Sequence, residues 1–159
     1  MPNKISDIIV PIIKNENSFK LKLSEELKNK KVIIFGVPGA FTPTCSEKHF
    51  PGFIKLYSSF KDIKIDDIYC LSVNDAFVMK AWLLSFGENH KIIGIADGNG
   101  DVAKSFELLV DISVNHMGMR SNRFAMIVEN NTVKKLFIEK PGEYKVSSAE
   151  YILKKCKLI

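Results

Sequence analysis

The stretch KVIIFGVPGAFTPTCSEKHFPGF, Lys31 to Phe53, changes its periodicity halfway. Its first seven residues form an almost continuous apolar run with β-branched side chains, the pattern of a central strand covered on both faces. Its last part predicts an amphipathic helix over roughly 43–60, with Phe50, Phe53, Ile54, Tyr57 and Phe60 on one stripe. Pro51 falls inside that helix and predicts a kink, because proline has no N–H to give to the helical ladder. Between strand and helix stand two prolines, two threonines and Cys45. A thiol at a strand-to-helix handover asks for a reason.

Outward from this stretch, the apolar runs and the turn residues alternate regularly. DIYCLSV (67–73) and KIIGIAD (91–97) predict two further buried strands. Asn74 or Asp75 is placed to cap a helix over 76–86 that Gly87 ends. GDVAKSFELL predicts a third helix, and a long connection follows that carries both arginines of the chain, Arg120 and Arg123. RFAMIVE (123–129) and TVKKLFIE (132–139) flank Asn130–Asn131, a two-residue hairpin turn. Ser147-x-x-Glu150 has the form of a capping box and opens a C-terminal helix. Residues 1–30 look peripheral: a short apolar segment, then SFKLKLSEEL, a brief strand-like alternation running into a helical turn. Strand–helix alternation followed by a hairpin predicts an α/β protein whose mixed central sheet is flanked by helices. That order fits a thioredoxin-like topology with extra N-terminal elements.

A chain of 159 residues suggests one domain over 1–159, large enough to bury a core without disulfide or metal staples. The net charge of +5 comes mostly from lysines scattered along the chain, with no basic stripe interleaved with aromatics, so no nucleic-acid partner is expected. No apolar run approaches the roughly 18 residues of a membrane span, so no membrane partner is expected either. Three cysteines at irregular spacing do not make a secreted disulfide framework and favour a reducing compartment. The expected location is cytoplasmic, or an organelle if a targeting segment has been removed.

Cys45 lies in the first turn of the predicted helix. Backbone N–H groups at a helix start lack partners and favour anions, and a thiolate gains stability there. Pro38 and Pro43 stiffen the loop, Pro43 suits the first helical position, and Gly39 lets backbone approach closely. Thr42, near the N-cap, offers a hydroxyl that can accept from backbone and donate beside the sulfur. Thiolate formation alone accelerates chemistry only about tenfold at neutral pH. Larger effects need donors aimed at charge that develops in the transition state, and Arg123 or Arg120 can supply them.

PGAFTPTCS with HFPGF after it resembles the active-site region of the peroxiredoxins. LSVNDAFVMKAW and MGMRSNRFAMIVE are similar to the group holding the plant type II and mammalian type V enzymes and their bacterial relatives. The likeness covers about residues 30–153. It implies a thiol peroxidase for hydrogen peroxide and small alkyl hydroperoxides. It assigns the peroxide-attacking sulfur to Cys45, peroxide orientation to the Thr42 hydroxyl, shielding of the pocket to Pro38, and the cation on thiolate and peroxide to Arg123. The role of Arg120 is less defined. Relatives form dimers through surfaces around the site, and the nearly all-apolar helix AFVMKAWLLSF leads to the same expectation of a homodimer.

Some relatives carry a resolving cysteine in the loop before the last helix. Here that loop reads EYKVSSAE and holds no thiol. Cys70 lies in a predicted buried strand and Cys156 on the apolar face of the last helix. The expectation is therefore a one-cysteine cycle, with glutathione and glutaredoxin as reductant and no bound cofactor. The alternatives are a thioredoxin-dependent cycle with Cys156 as resolving thiol, or a thiol–disulfide oxidoreductase, although Thr42 stands where a C-x-x-C motif would place its first cysteine. A non-enzymatic module using the apolar helix is a third. His49 shares a helix face with Cys45, but no residue is evident to orient it as a base, and bracing the pocket is its expected role. His90 and His116 lie in separate loops, so no metal set is expected.

Overall fold

The computed structural model describes residues 3–158. Its elements run in chain order: β1 (Ile9–Lys14), β2 (Asn17–Lys22), α1 (Leu23–Glu26), β3 (Lys31–Val37), a π-helical turn (Cys45–His49), α2 (Phe50–Lys55), α3 (Tyr57–Asp62), β4 (Asp67–Ser72), α4 (Ala76–Leu84), β5 (Ile93–Ala96), α5 (Asp101–Ser105), β6 (Leu109–Asp111), a 3-10 turn (Ser113–Asn115), β7 (Met119–Ser121), β8 (Phe124–Glu129), β9 (Thr132–Ile138) and α6 (Ala149–Cys156). Seven strands form one sheet in the order β2-β1-β5-β4-β3-β8-β9. The β3–β4 and β4–β5 pairs are parallel and the others antiparallel, so the sheet is mixed, as expected.

Successive side chains of a strand point to opposite faces, and β3 supplies both cores. Ile33, Phe35 and Val37 pack with Phe50, Phe53, Phe60, Trp82 and Ile152 on one face. Val32 and Ile34 pack with Leu23, Val102 and Phe106 on the other. Gly36 has a specific task in this layering. A Cβ there would lie 1.9 Å from the Phe124 ring, so only glycine lets that ring cross the end of β3. The hairpin turn is as expected: Asn130 and Asn131 have φ of 45° and 63°, the left-handed pair that a two-residue turn requires.

Four local features differ from the sequence expectations. The residues before β2 are not peripheral, since β1 enters the sheet between β2 and β5. Pro11 is tolerated because the β5 side pairs only Ile12 and Ile13. The connection with both arginines contains a second small sheet, β6 against β7. Three-residue strands are too short to show a period. The predicted 43–60 helix is helical from Pro43 to Asp62 with a break at Leu56. Pro51 acts through the π turn just before it, where the Phe50 N–H bonds to the Cys45 carbonyl five residues back. Widening that turn moves backbone carbonyls away from the proline ring. Finally, the cap of α6 is Ser148, whose hydroxyl accepts from the Tyr151 N–H at 3.2 Å, and not Ser147. Ser147 is held by Glu139 instead.

Candidate active site

The chain leaves β3 at Val37 and turns back into the helix within a few residues. Phe41 makes the turn in the left-handed region, at φ 64°. A bulky residue there carries on the order of 1–3 kcal/mol of strain, which the surroundings must hold in place. The Ala40 N–H donates to Asn74 Oδ1 at 3.0 Å, tying this loop to the start of α4. The Thr42 hydroxyl donates to the Gly39 carbonyl at 2.7 Å. Its proton is thus committed inside the loop, and its lone pairs are what it offers outward. Cys45 follows as the first residue of the π turn and is fully buried.

Arg123 stands directly before β8, which pairs with β3, so its side chain reaches the carboxyl end of β3 from the neighbouring strand. Its guanidinium forks. One arm, Nη2, donates to Cys45 Sγ at 3.2 Å, and the other, Nη1, meets His49 Nδ1 at 2.9 Å. Cys45 and His49 begin and end the π turn, and its width sets them side by side under one guanidinium. His49 is fully buried, and its other nitrogen, Nε2, lies 2.9 Å from the Ser147 carbonyl. A carbonyl only accepts, so Nε2 carries the proton and Nδ1 accepts from Arg123. Burial and then the Arg123 charge lower the pKa of His49 to about 3, which keeps the ring neutral at ordinary pH. With both nitrogens engaged, His49 has no role to fill as a base for Cys45.

Behind His49 stands a carboxylate that the sequence reading missed. Glu139, just past β9, is buried and accepts through Oε2 from Lys145 N at 2.6 Å, Ser147 N at 2.9 Å and Ser147 Oγ at 2.7 Å. Burial pushes its carboxyl up, but these hydrogen bonds outweigh burial and hold it below the usual range. No periodicity or motif marks this glutamate; only a polar residue at the end of a strand hints at it.

A cleft of about 790 Å³ adjoins the loop that leads to Cys45. Pro38, Thr42, Pro43 and Arg123 line it, with Val110, Ile112 and Met117 as an apolar wall and Glu139 and Lys140 farther round. Pro38, Thr42, Pro43 and Arg123, all singled out in the sequence, therefore face one space, while Cys45 is fully buried and joined to it through the Arg123 guanidinium. Arg120 does something else. Its Nε donates to the Met117 carbonyl at 3.0 Å and its Nη1 reaches the Pro38 carbonyl at 3.4 Å, so it clasps the wall to the Pro38 loop.

The other two thiols are differently placed. Cys70 is fully buried in β4, and burial pushes its thiol well up. Cys156 is 5% exposed on α6; burial raises its pKa to about 11 while the nearby Lys31 charge pulls the other way. Lys31 begins β3, and Cys45 follows the opposite end. The seven residues of β3 span on the order of 20 Å, whereas a disulfide needs Cα atoms within about 7 Å. Among the described residues no group of three His, Cys, Asp or Glu side chains is arranged to hold a metal ion, and no helix is long and apolar enough to cross a membrane.

Residues 8–153 match the Redoxin family. Rice Peroxiredoxin-2C is 50% identical over 125 residues, covering 79% of this chain and 77% of its own. The crystal structure of reduced Prx3 from Vibrio vulnificus in complex with hydrogen peroxide superposes with a TM-score of 0.90 at 39% identity, covering 96% of both chains. That of the Plasmodium falciparum antioxidant protein, described as a 1-Cys peroxiredoxin, gives 0.89 at 35% identity and covers all of both chains.

Proposed function

Since this chain belongs to the peroxiredoxins, thiol peroxidases, and to their plant type II and mammalian type V group, we propose that Cys45 is its peroxide-reactive sulfur and that a thiol from another molecule resets it. The observation that carries the first part is the Arg123 fork, with one guanidinium arm on Cys45 Sγ at 3.2 Å while Arg123 itself lines the cleft. In this reading the Cys45 thiolate attacks one oxygen of the peroxide. The O–O bond breaks, the sulfur keeps a hydroxyl as sulfenic acid, and the other oxygen leaves as water or alcohol after taking a proton. Thr42 Oγ1, its own proton given to Gly39, accepts from the peroxide O–H and orients it. Arg123 holds the charge that builds on the parting oxygens. Pro38 shields the site from bulk water. The substrates are hydrogen peroxide and small alkyl hydroperoxides, and residues 1–159 act as one catalytic domain.

The second part rests on where the other sulfurs lie. Cys156 sits toward the end of β3 remote from Cys45, and the loop 140–148 carries no cysteine. Glutathione then attacks the sulfenic sulfur, expelling water and forming a mixed disulfide. Glutaredoxin or a second glutathione takes the glutathionyl group and returns Cys45 as thiol. The net charge of +5 favours an anionic reductant, in the reducing environment of the cytoplasm or an organelle. Mass spectrometry tests this. One equivalent of peroxide without glutathione is expected to add a single oxygen to Cys45, and later glutathione to leave a glutathionyl adduct there. An intramolecular Cys45–Cys156 disulfide would overturn the one-cysteine cycle in favour of a thioredoxin-dependent one.

The functional unit in this reading is a homodimer joined near the carboxyl ends of the strands. Phe77 is 87% exposed at the start of α4, and Phe41 is exposed on the loop that Asn74 ties to it. Exposed aromatic side chains on a helix start and the loop tied to it are suited to burial in a partner. Light scattering at tens of micromolar is expected to give twice the 18.0 kDa chain mass; a monomeric mass would remove this part of the reading.

A further inference from the structure

Arg123 is held at both of its ends by one closed circuit of hydrogen bonds. Its guanidinium Nη1 donates to His49 Nδ1 at 2.9 Å. His49 Nε2 donates to the Ser147 carbonyl at 2.9 Å. The Ser147 N–H and hydroxyl donate to Glu139 Oε2 at 2.9 Å and 2.7 Å. The Glu139 N–H returns to the Arg123 carbonyl at 2.9 Å. The circuit joins residues from the π turn, the entry to β8, the end of β9 and the entry to α6.

We propose that Glu139 is a positioning residue for the peroxide reaction, acting through Ser147 and His49 to keep the Arg123 guanidinium on the Cys45 sulfur. A guanidinium on a long side chain has several rotamers, and only the one with Nη2 over Sγ serves the reaction. His49 selects that rotamer by offering an acceptor on its far side. A neutral buried imidazole can offer it only when its other nitrogen is satisfied, and the Ser147 carbonyl does that. Ser147 lies in a loop without regular structure between β9 and α6, so its carbonyl needs an anchor. Glu139 is that anchor, with one buried carboxylate oxygen accepting three bonds. Charge-assisted bonds of this kind are roughly twice as strong as neutral ones. The inference rests on the role given to Arg123 above and extends it to a carboxylate that touches neither sulfur nor substrate.

A double-mutant cycle separates positioning from plain stabilisation. The readout is the second-order rate of Cys45 oxidation by hydrogen peroxide in stopped flow. Trp82, the one tryptophan of the chain, reports it, because its indole donates to Ser46 Oγ at 2.9 Å beside the reacting sulfur. Outer partners that fix the orientation of a metal-ligating side chain typically cost 10–100-fold when removed, and Glu139→Ala, which acts on Arg123 through Ser147 and His49, is expected to slow oxidation by about that much. In an Arg123→Ala background the same change is expected to slow it less than about twofold, because there is no guanidinium left to place. An equal loss in both backgrounds, or no loss in the single variant, would overturn the proposal. If Arg123→Ala alone left the rate unchanged, the role of Arg123 would fail instead. Should Glu139→Ala not fold, Glu139→Gln replaces it, keeping a carbonyl acceptor for the same donors but with neutral bonds. Its smaller loss must likewise vanish when Arg123 is absent.

Discussion

With Cys45 replaced by serine, peroxide consumption is expected to fall to the rate of the buffer, and no oxygen should be added to the protein by one equivalent of peroxide. An alcohol in this position stays protonated where a thiol ionises, and oxygen is a poor nucleophile toward the O–O bond. The remaining sulfurs cannot take over. Cys70 is fully buried in the sheet with its thiol pushed well up, and Cys156 is pushed to about 11. Neither has a guanidinium donor as Cys45 has in Arg123. Stopped-flow consumption of hydrogen peroxide, with intact mass as a second readout, decides it. A saturable peroxidase activity that survives in Cys45→Ser would remove Cys45 from the centre of the mechanism.

Arg123→Ala is expected to leave the thiol in place and still slow its oxidation by about 10²–10³-fold, the usual cost of losing one donor aimed at developing charge. Two effects contribute, and they separate by pH. The guanidinium favours negative charge on sulfur, and it also meets the charge on the breaking peroxide. The first effect is limited to about tenfold at neutral pH, because the roughly thirtyfold gain in thiolate is partly offset by the lower nucleophilicity of a less basic thiolate. Raising the pH to about 10, where an ordinary cysteine is fully ionised, should therefore recover at most about one and a half decades. Recovery of the whole wild-type rate would mean that Arg123 only ionises the sulfur. Arg123→Lys is expected to recover part of the loss. An ammonium can approach Sγ or His49 Nδ1, but it lacks the planar fork that reaches both at 3.2 Å and 2.9 Å.

The sequence made the centre of the fold and of the site readable for a physical reason: both rest on local patterns. The apolar run of β3 shows in seven residues that the strand is covered on two sides, and Ile33 and Ile34 do face opposite cores. The Asn130–Asn131 turn carries its own geometry. Pro38, Thr42 and Cys45 are close in the chain, so their convergence needs only one loop. Local pattern offered Arg123 and Arg120 alike, and only the peroxiredoxin resemblance chose Arg123; the separation itself depends on tertiary partners, the Cys45 sulfur and His49 for Arg123 and two backbone carbonyls for Arg120. The small sheet of β6 and β7 was invisible because its strands are too short to show a period. The capping box failed at Ser147 because a buried carboxylate eight residues earlier competes for the same serine. Glu139 was missed for the same reason: its partners are set by tertiary packing, and nothing in its immediate neighbours announces them.

The π turn between Cys45 and His49 has a consequence for how the chain tolerates changes in length. A π turn holds one residue more than the α turn that would fill the same height. Removing one residue between Cys45 and Pro51 would return the turn to α geometry and bring a backbone carbonyl back against the Pro51 ring, at a cost of about 3 kcal/mol. Each side chain before the deletion would then rotate about the axis relative to those after it, and Cys45 and His49 would no longer lie under the same guanidinium. The surplus residue is therefore a register mark. In this helix a single-residue deletion is expected to cost the fold its accommodation of Pro51 and the site its alignment under Arg123 together.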